Sequence, residues 1–137
     1  ENKSCFGSAL YAASQVLQTC GGKIIAQQTS LPNIGIGALK FRDSVEVYGT
    51  DKERELYVSA DPFYPKLTTD CASNFISIDI FCCASTGYCD LASTGEMSRK
   101  TGGQLYYYAN FNRSRDAESF ENDLRTNLVR RTVFRSV

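Results

Sequence analysis

The sequence predicts an α/β domain in three layers, a mainly parallel sheet with helices on both faces, and only part of a doubly wound unit. Three observations carry this. First, Phe75-Ile76-Ser77-Ile78-Asp79-Ile80-Phe81-Cys82 is short, β-branched and aromatic, and lies between Ser73-Asn74 and Ser85-Thr86-Gly87; that length and composition favour a strand over a buried helix. Alternation puts Ile76, Ile78, Ile80 and Cys82 on one face and Phe75, Ser77, Asp79 and Phe81 on the other. Both faces carry large apolar groups, as in a parallel strand covered on each side. Second, a helix, a Gly-Gly pair and a strand occur together twice, around Gly21-Gly22 and Gly102-Gly103. Third, strands alternate with helices, which implies crossovers and a parallel sheet. Three strands are few for such a sheet, and a helix comes first, so the chain reads as the second half of a doubly wound domain.

Taken in order, Ser8 to Cys20 reads as a helix. Leu10, Ala13, Leu17 and Cys20 recur at helical spacing, Val16 widens the stripe, and Gly21-Gly22 ends it. Lys23 to Thr29 is the first strand. A long connection from about 30 to 60 follows, and its length marks it as functional or mobile. Within it Thr50-Asp51-Lys52-Glu53 resembles a capping box opening a short helix. Asp61-Pro62 opens a stronger helix with Phe63, Leu67 and Cys71 inward. After the Phe75–Cys82 strand, Asp90 caps a helix over Leu91 to Lys100, weakened by Gly95. Gln104 to Ala109 is a tyrosine-rich strand. Ser114 opens the last helix, with Ala117, Phe120, Leu124 and Leu128 inward.

The 137 residues suffice for one domain, here 1–137 with the long loop as an insertion; apolar content is 42% and charged content 22%. Fifteen basic and fifteen acidic residues give no net charge, which argues against a nucleic-acid partner or a basic membrane-surface protein. No apolar run approaches the length of a spanning helix. The chain lacks both a signal peptide and an initiating Met, and reads as a piece of a longer protein. Cys5, Cys20, Cys71, Cys82, Cys83 and Cys89 are expected as mostly buried free thiols of a reducing compartment. With no His and no Cys-x-x-Cys pair, zinc is not expected. The sequons at Asn2 and Asn112 occur by chance in a cytosolic chain.

Asp79, toward the carboxyl end of a buried strand, is the most suggestive single residue; it could face a ligand, but an internal packing bond is the favoured reading. Gly35-Ile36-Gly37 is not a dinucleotide fingerprint, and no phosphate-binding motif is present. Without His, no Ser-His-Asp or Cys-His set can be built. Glu53 and Glu55 read as solvated surface. Tyr106-Tyr107-Tyr108 lacks the basic neighbours of a base-stacking platform, so strand packing with hydroxyls at the edge is expected. Arg125, Arg130, Arg131 and Arg135 could meet an acidic partner, although a favourable helix end explains most of the cluster.

Four motifs together carry a family resemblance. Leu31-Pro32-Asn33-Ile34-Gly35-Ile36-Gly37-Ala38-Leu39-Lys40, Gly49-Thr50-Asp51-Lys52-Glu53 with Ala60-Asp61-Pro62-Phe63-Tyr64, Asp90-Leu91-Ala92-Ser93, and Thr101-Gly102-Gly103-Gln104-Leu105-Tyr106-Tyr107-Tyr108 occur in that order. The chain resembles the cargo-binding coat subunit of COPII vesicles, the Sec twenty-four family, in the C-terminal part of its von Willebrand A-like trunk. The resemblance implies a non-enzymatic adaptor in endoplasmic reticulum to Golgi transport, cytoplasmic and peripheral on the reticulum membrane and its vesicles. It implies pairing with the sister coat subunit of the Sec twenty-three family, membrane cargo and SNARE proteins as ligands, and indirect recruitment by a small GTPase. The family's zinc site lies in a separate module outside this chain, so no cofactor is expected. An adhesion-type metal site would need an Asp-x-Ser-x-Ser run, which is absent. The length and turn-forming glycines of the long loop mark Asn33, Gly35, Gly37, Lys40 and Arg42 as candidate interface residues. Two alternatives stand beside this reading: an extracellular A-type adhesion domain, and half of a doubly wound enzyme. The missing strands also predict an open edge on the first strand, covered by self-pairing or by further residues.

Overall fold

The computed structural model describes residues 2–84 and 88–131. Its elements are α1 (Phe6–Leu17), β1 (Gly22–Gln28), 3-10 turns at Val45–Val47 and Asp51–Tyr57, α2 (Phe63–Ser73), β2 (Ile76–Ala84), α3 (Leu91–Lys100), β3 (Leu105–Ala109) and α4 (Arg113–Val129). The strands form one sheet in the order β1-β2-β3. Both pairings are parallel, from Gly22 opposite Ile76 to Gln28 opposite Cys82, and from Ile80 opposite Leu105 to Ala84 opposite Ala109. The strand predicted to organise the chain is therefore central and covered on both faces.

Its isoleucine face holds the main core. Ile76, Ile78 and Ile80 are buried with Leu10 of α1, Tyr64, Leu67 and Cys71 of α2 and Met97 of α3. On the opposite face Phe81 stacks on Tyr106 at 4.4 Å and meets Phe120 of α4 edge-on at 5.4 Å. Three helices thus cover one face and α4 the other. The second glycine pair also fixes the sheet: a Cβ on Gly103 would lie 2.0 Å from the carbonyl oxygen of Ile78, so only glycine allows that approach.

Several boundaries and faces differ from expectation. Helix α1 stops at Leu17, where Cys20 and Gly21 both donate their N–H to the Leu17 carbonyl. Cys20 therefore falls off the buried stripe, and Val16 points to solvent. Phe75 takes φ +58° in the turn before β2 rather than lying in the strand. In α2, Tyr64 and Thr68 join Leu67 and Cys71 inward while Phe63 is half-buried; Asp61 does cap, accepting the Phe63 N–H at 2.7 Å. The Thr50 capping box does not form. Glu53 accepts from Gly49 N–H, Thr50 donates to the Val47 carbonyl, and the turn is 3-10 rather than α. Asp90 caps α3 as expected, accepting from Ser93 N–H.

Helix α4 is rotated relative to expectation. Ala117 and Leu128 are exposed, Phe120 and Leu124 half-buried, and Asn127 is the one fully buried residue in the helix. Asn127 sets that rotation through a polar knot at the sheet. Its Nδ2 donates to Asp79 Oδ2 at 2.8 Å, and Lys23 Nζ reaches Asp79 Oδ2 at 3.0 Å and Asn127 Oδ1 at 3.2 Å. Gln104 N–H completes the set, donating to Asp79 Oδ1 at 2.6 Å. Asp79 is thus a packing residue tying β1, β2, the start of β3 and α4. Among the described residues β1 pairs only with β2, which leaves its outer edge unpaired.

Candidate functional site

The connection after β1 and the turn before α3 gather at the carboxyl ends of the strands, where open parallel sheets place ligands. Two devices shape that end. One is an ion pair between Arg42 and Asp90. Arg42 Nε and Nη2 donate to the two carboxylate oxygens at 2.9 and 2.8 Å, in the bidentate geometry that suits guanidinium to carboxylate. Arg42 also donates to the Val58 carbonyl at 2.7 Å and to that of Glu55. Asp90 is buried and accepts from the Ser93 N–H and hydroxyl as well. Ser93 Oγ in turn accepts Ala60 N–H at 2.9 Å. One guanidinium therefore fastens both ends of the 42–60 stretch to the cap of α3, and the bond to Asp90 raises its pKa despite partial burial.

The other device is the Asn33-to-Gly37 stretch. Asn33 Oδ1 accepts Ser4 N–H at 2.8 Å while its Nδ2 donates to the Asn2 carbonyl at 3.0 Å. Gly35 and Gly37 have φ of +79° and +71°, and a Cβ on either would strike Ser8 Oγ or the Phe63 ring. Tyr64, buried on α2, donates its hydroxyl to the Gly37 carbonyl at 2.6 Å, and burial pushes that hydroxyl's pKa well up.

Of the five sequence-predicted interface residues, Asn33 and Lys40 line one open cleft of about 540 Å³. Gly35 and Gly37 act behind it as close-packing positions, and Arg42 turns inward to Asp90. The cleft wall includes Leu31, Leu39, Phe41 and Tyr88, with Phe41 and Tyr88 edge to face at 4.8 Å. Sequence reasoning missed Phe41 and Tyr88 because neither sits in a motif; each belongs to a different connection and they meet only in the fold. It also missed the second role of Asp90, because its partner Arg42 lies 48 residues away and nothing near either residue marks the pair.

The other candidates go elsewhere. Tyr106 and Tyr108 donate to Gln104 and Asp123, as expected of hydroxyls at a sheet edge. Arg125 pairs with Glu121, Arg130 and Arg131 are exposed, and Arg135 lies outside the described residues. Cys82 and Cys89 share a side-chain hydrogen bond that raises the Cys82 thiol and lowers that of Cys89; both are buried. Among the described residues no group of three or more Cys, Asp or Glu side chains is placed to hold a metal, and no helix is long and apolar enough to cross a membrane.

A family model for the Sec23/Sec24 trunk domain matches residues 1–128. The chain belongs to the Sec23/Sec24 trunk-domain family. Protein transport protein SEC24 A of Arabidopsis thaliana is 43% identical over 136 residues, 98% of this chain and 13% of that protein. Protein transport protein SEC24 of Dictyostelium discoideum is 39% identical over 137 residues, again 98% and 13%. The crystal structure of the human COPII-coat protein Sec24c superposes with a TM-score of 0.87 at 32% identity, covering 93% of this chain and 18% of that one. The parallel three-stranded arrangement is that of the Sec24 trunk, with its von Willebrand A-like fold. The chain spans about an eighth of the curated relatives' length. Within a trunk domain of this family, the Arg42–Asp90 clamp makes a direct prediction. Arg42→Ala should strand a buried carboxylate and lower stability by about 2–3 kcal/mol. Limited proteolysis should then cut first between residues 43 and 58; an unchanged cleavage pattern would show that the clamp does not hold the loop.

Proposed function

We propose that this chain is the back portion of the trunk in a COPII coat adaptor of the Sec twenty-four kind. It works in endoplasmic reticulum to Golgi transport by pairing with the sister coat subunit of the Sec twenty-three family. The whole protein selects membrane cargo and SNARE proteins, is recruited indirectly through a small GTPase, and acts from the cytoplasmic face of the reticulum without catalysing a reaction. The observation that carries this reading is the match to Sec24c, a TM-score of 0.87 at 32% identity over nearly the whole chain. The interior supports a scaffold role, since Asp79, Asp90 and Arg42 are each engaged by the protein itself.

A chimera tests it. The matching segment of the Arabidopsis SEC24 A relative is replaced by this chain, and the full-length protein is assayed for pairing with the sister subunit and for cargo packaging in a reconstituted budding reaction. Both should persist within about threefold. A chimera that folds cooperatively yet fails to pair contradicts the proposal.

A further inference from the structure

We propose that the recess between the 43–57 stretch and the turn before α3 is an aromatic cage that binds a small trimethylammonium compound, choline being the simplest of the class. Tyr48 and Tyr57 wall it from one connection and Tyr88 from the other, with Leu56 and Leu91 also in its lining. Its volume of about 190 Å³ is small beside the roughly 300–1,000 Å³ of pockets for drug-sized ligands, and suits a single head group. Tyr57 is 75% exposed and Tyr48 51%, and among the described residues neither ring pairs with another aromatic ring. Their faces, the negative side of the ring quadrupole, are thus not taken up by aromatic packing and can meet a cation.

The charge of the recess selects the ligand. Among the described residues, the charged members of its lining are Asp43 and Asp90, both acidic. Asp90 is neutralised by Arg42, whereas Asp43 enters no ion pair among the described residues and accepts from the Tyr48 hydroxyl. A cation therefore meets one uncompensated carboxylate beside three phenol rings. A primary ammonium brings three N–H donors, and a divalent metal ion needs several oxygen ligands. One free carboxylate satisfies neither, and among the described residues no group of three or more Cys, Asp or Glu side chains is placed to hold a metal. A trimethylammonium group has no N–H to satisfy, and ring faces attract it directly. A phosphate attached to it would lie near Asp43 and be repelled. The walls are also set in advance: Arg42 ties the 42–60 stretch to Asp90 at the cap of α3, so Tyr48 and Tyr57 are held opposite Tyr88 before a ligand arrives. Binding then orders little of the host chain, which favours affinity.

This inference goes beyond the adaptor reading and does not rest on it. The full-length protein that carries this chain is titrated with choline, with phosphocholine and with the uncharged tert-butyl isostere of choline, followed by saturation-transfer NMR. Choline should bind at least fivefold more tightly than the isostere, and more tightly than phosphocholine. Tyr57→Leu keeps the apolar bulk but removes the ring; it should weaken choline at least fivefold and bring it level with the isostere. Asp43→Asn should weaken choline at least threefold and leave the isostere unchanged. Tyr48→Phe, which keeps the ring, should retain choline binding. Tyr57 is exposed and Asp43 half-buried, and an unchanged melting curve verifies the fold of each variant. Absence of saturation transfer to the choline methyls in the wild type overturns the cage. So does an isostere or a phosphocholine that binds as tightly as choline, or a Tyr57→Leu variant with wild-type affinity.

Discussion

Asp79→Ala should destabilise the domain by about 3–5 kcal/mol, the usual result of removing one partner of a buried ion pair. The carboxylate is fully buried and accepts from Lys23, Asn127 and the Gln104 N–H. Its loss leaves three donors facing one another in a place water does not reach. Because the four groups come from β1, β2, the approach to β3 and α4, the damage spreads over the sheet and its α4-covered face. Urea unfolding followed by far-UV circular dichroism measures it. The pH dependence follows from the same contacts. Burial alone would raise the Asp79 pKa, but the hydrogen bonds from Asn127, Lys23 and Gln104 outweigh it and hold the pKa below its ordinary value. A group depressed in the folded state contributes its full stability above the unfolded pKa of about 3.9 and loses it as pH falls through the folded value. The gap between wild type and Asp79→Asn should therefore be widest near neutrality and narrow below about pH 4. A gap that stayed constant into acid would mean that the carboxylate's charge is not what the site uses.

Ile78→Asp should be more severe. Ile78 is fully buried on the other face of the same strand, opposite Ile24 in β1. A carboxylate there faces the core formed with α1, α2 and α3, where no cation waits. An uncompensated buried charge costs at least several kcal/mol, which is of the order of the whole stability of a domain this size. We expect no cooperative thermal transition. Ile78→Val, which only removes a methyl group, should cost about 0.5–1.5 kcal/mol and retain the transition. Neighbouring residues on one strand thus have opposite requirements: position 79 needs a carboxylate and position 78 excludes one. A variant with aspartate at 78 that still melted cooperatively would show that this face is not sealed.

That contrast also shows what the sequence could and could not reveal. Alternation along Phe75–Cys82 was enough to place Ile78 in a core and to make the strand central, because both faces carried large apolar groups. Asp90 could be read as a cap, since Asp before an apolar run is a local signal. Two-faced coverage, element order and the two glycine pairs likewise depend on neighbours in sequence. What stayed hidden depends on distance along the chain. Asn127 lies 48 residues from Asp79 and 104 from Lys23, so nothing near it marks it as the residue that orients α4. The sequence therefore favoured the apolar stripe through Leu128, which the knot turns toward solvent. Arg42 carried the expected charge but points to Asp90, 48 residues on, rather than outward. Lys40, two residues earlier, keeps its charge at the surface. The candidate site was thus legible as a strip of loop but not as a cleft, whose second wall comes from Tyr88.

We propose that the long connection at the carboxyl edge of this trunk meets a partner protein. Hydrogen exchange on the full-length protein, free and paired with its sister subunit in the presence of cargo peptide, tests it most directly. Amides of residues 30–42 should gain protection at least tenfold, while those of β2, protected already, should change little. Exchange in 30–42 that is the same in every complex, with new protection confined to other parts of the chain, would contradict the account.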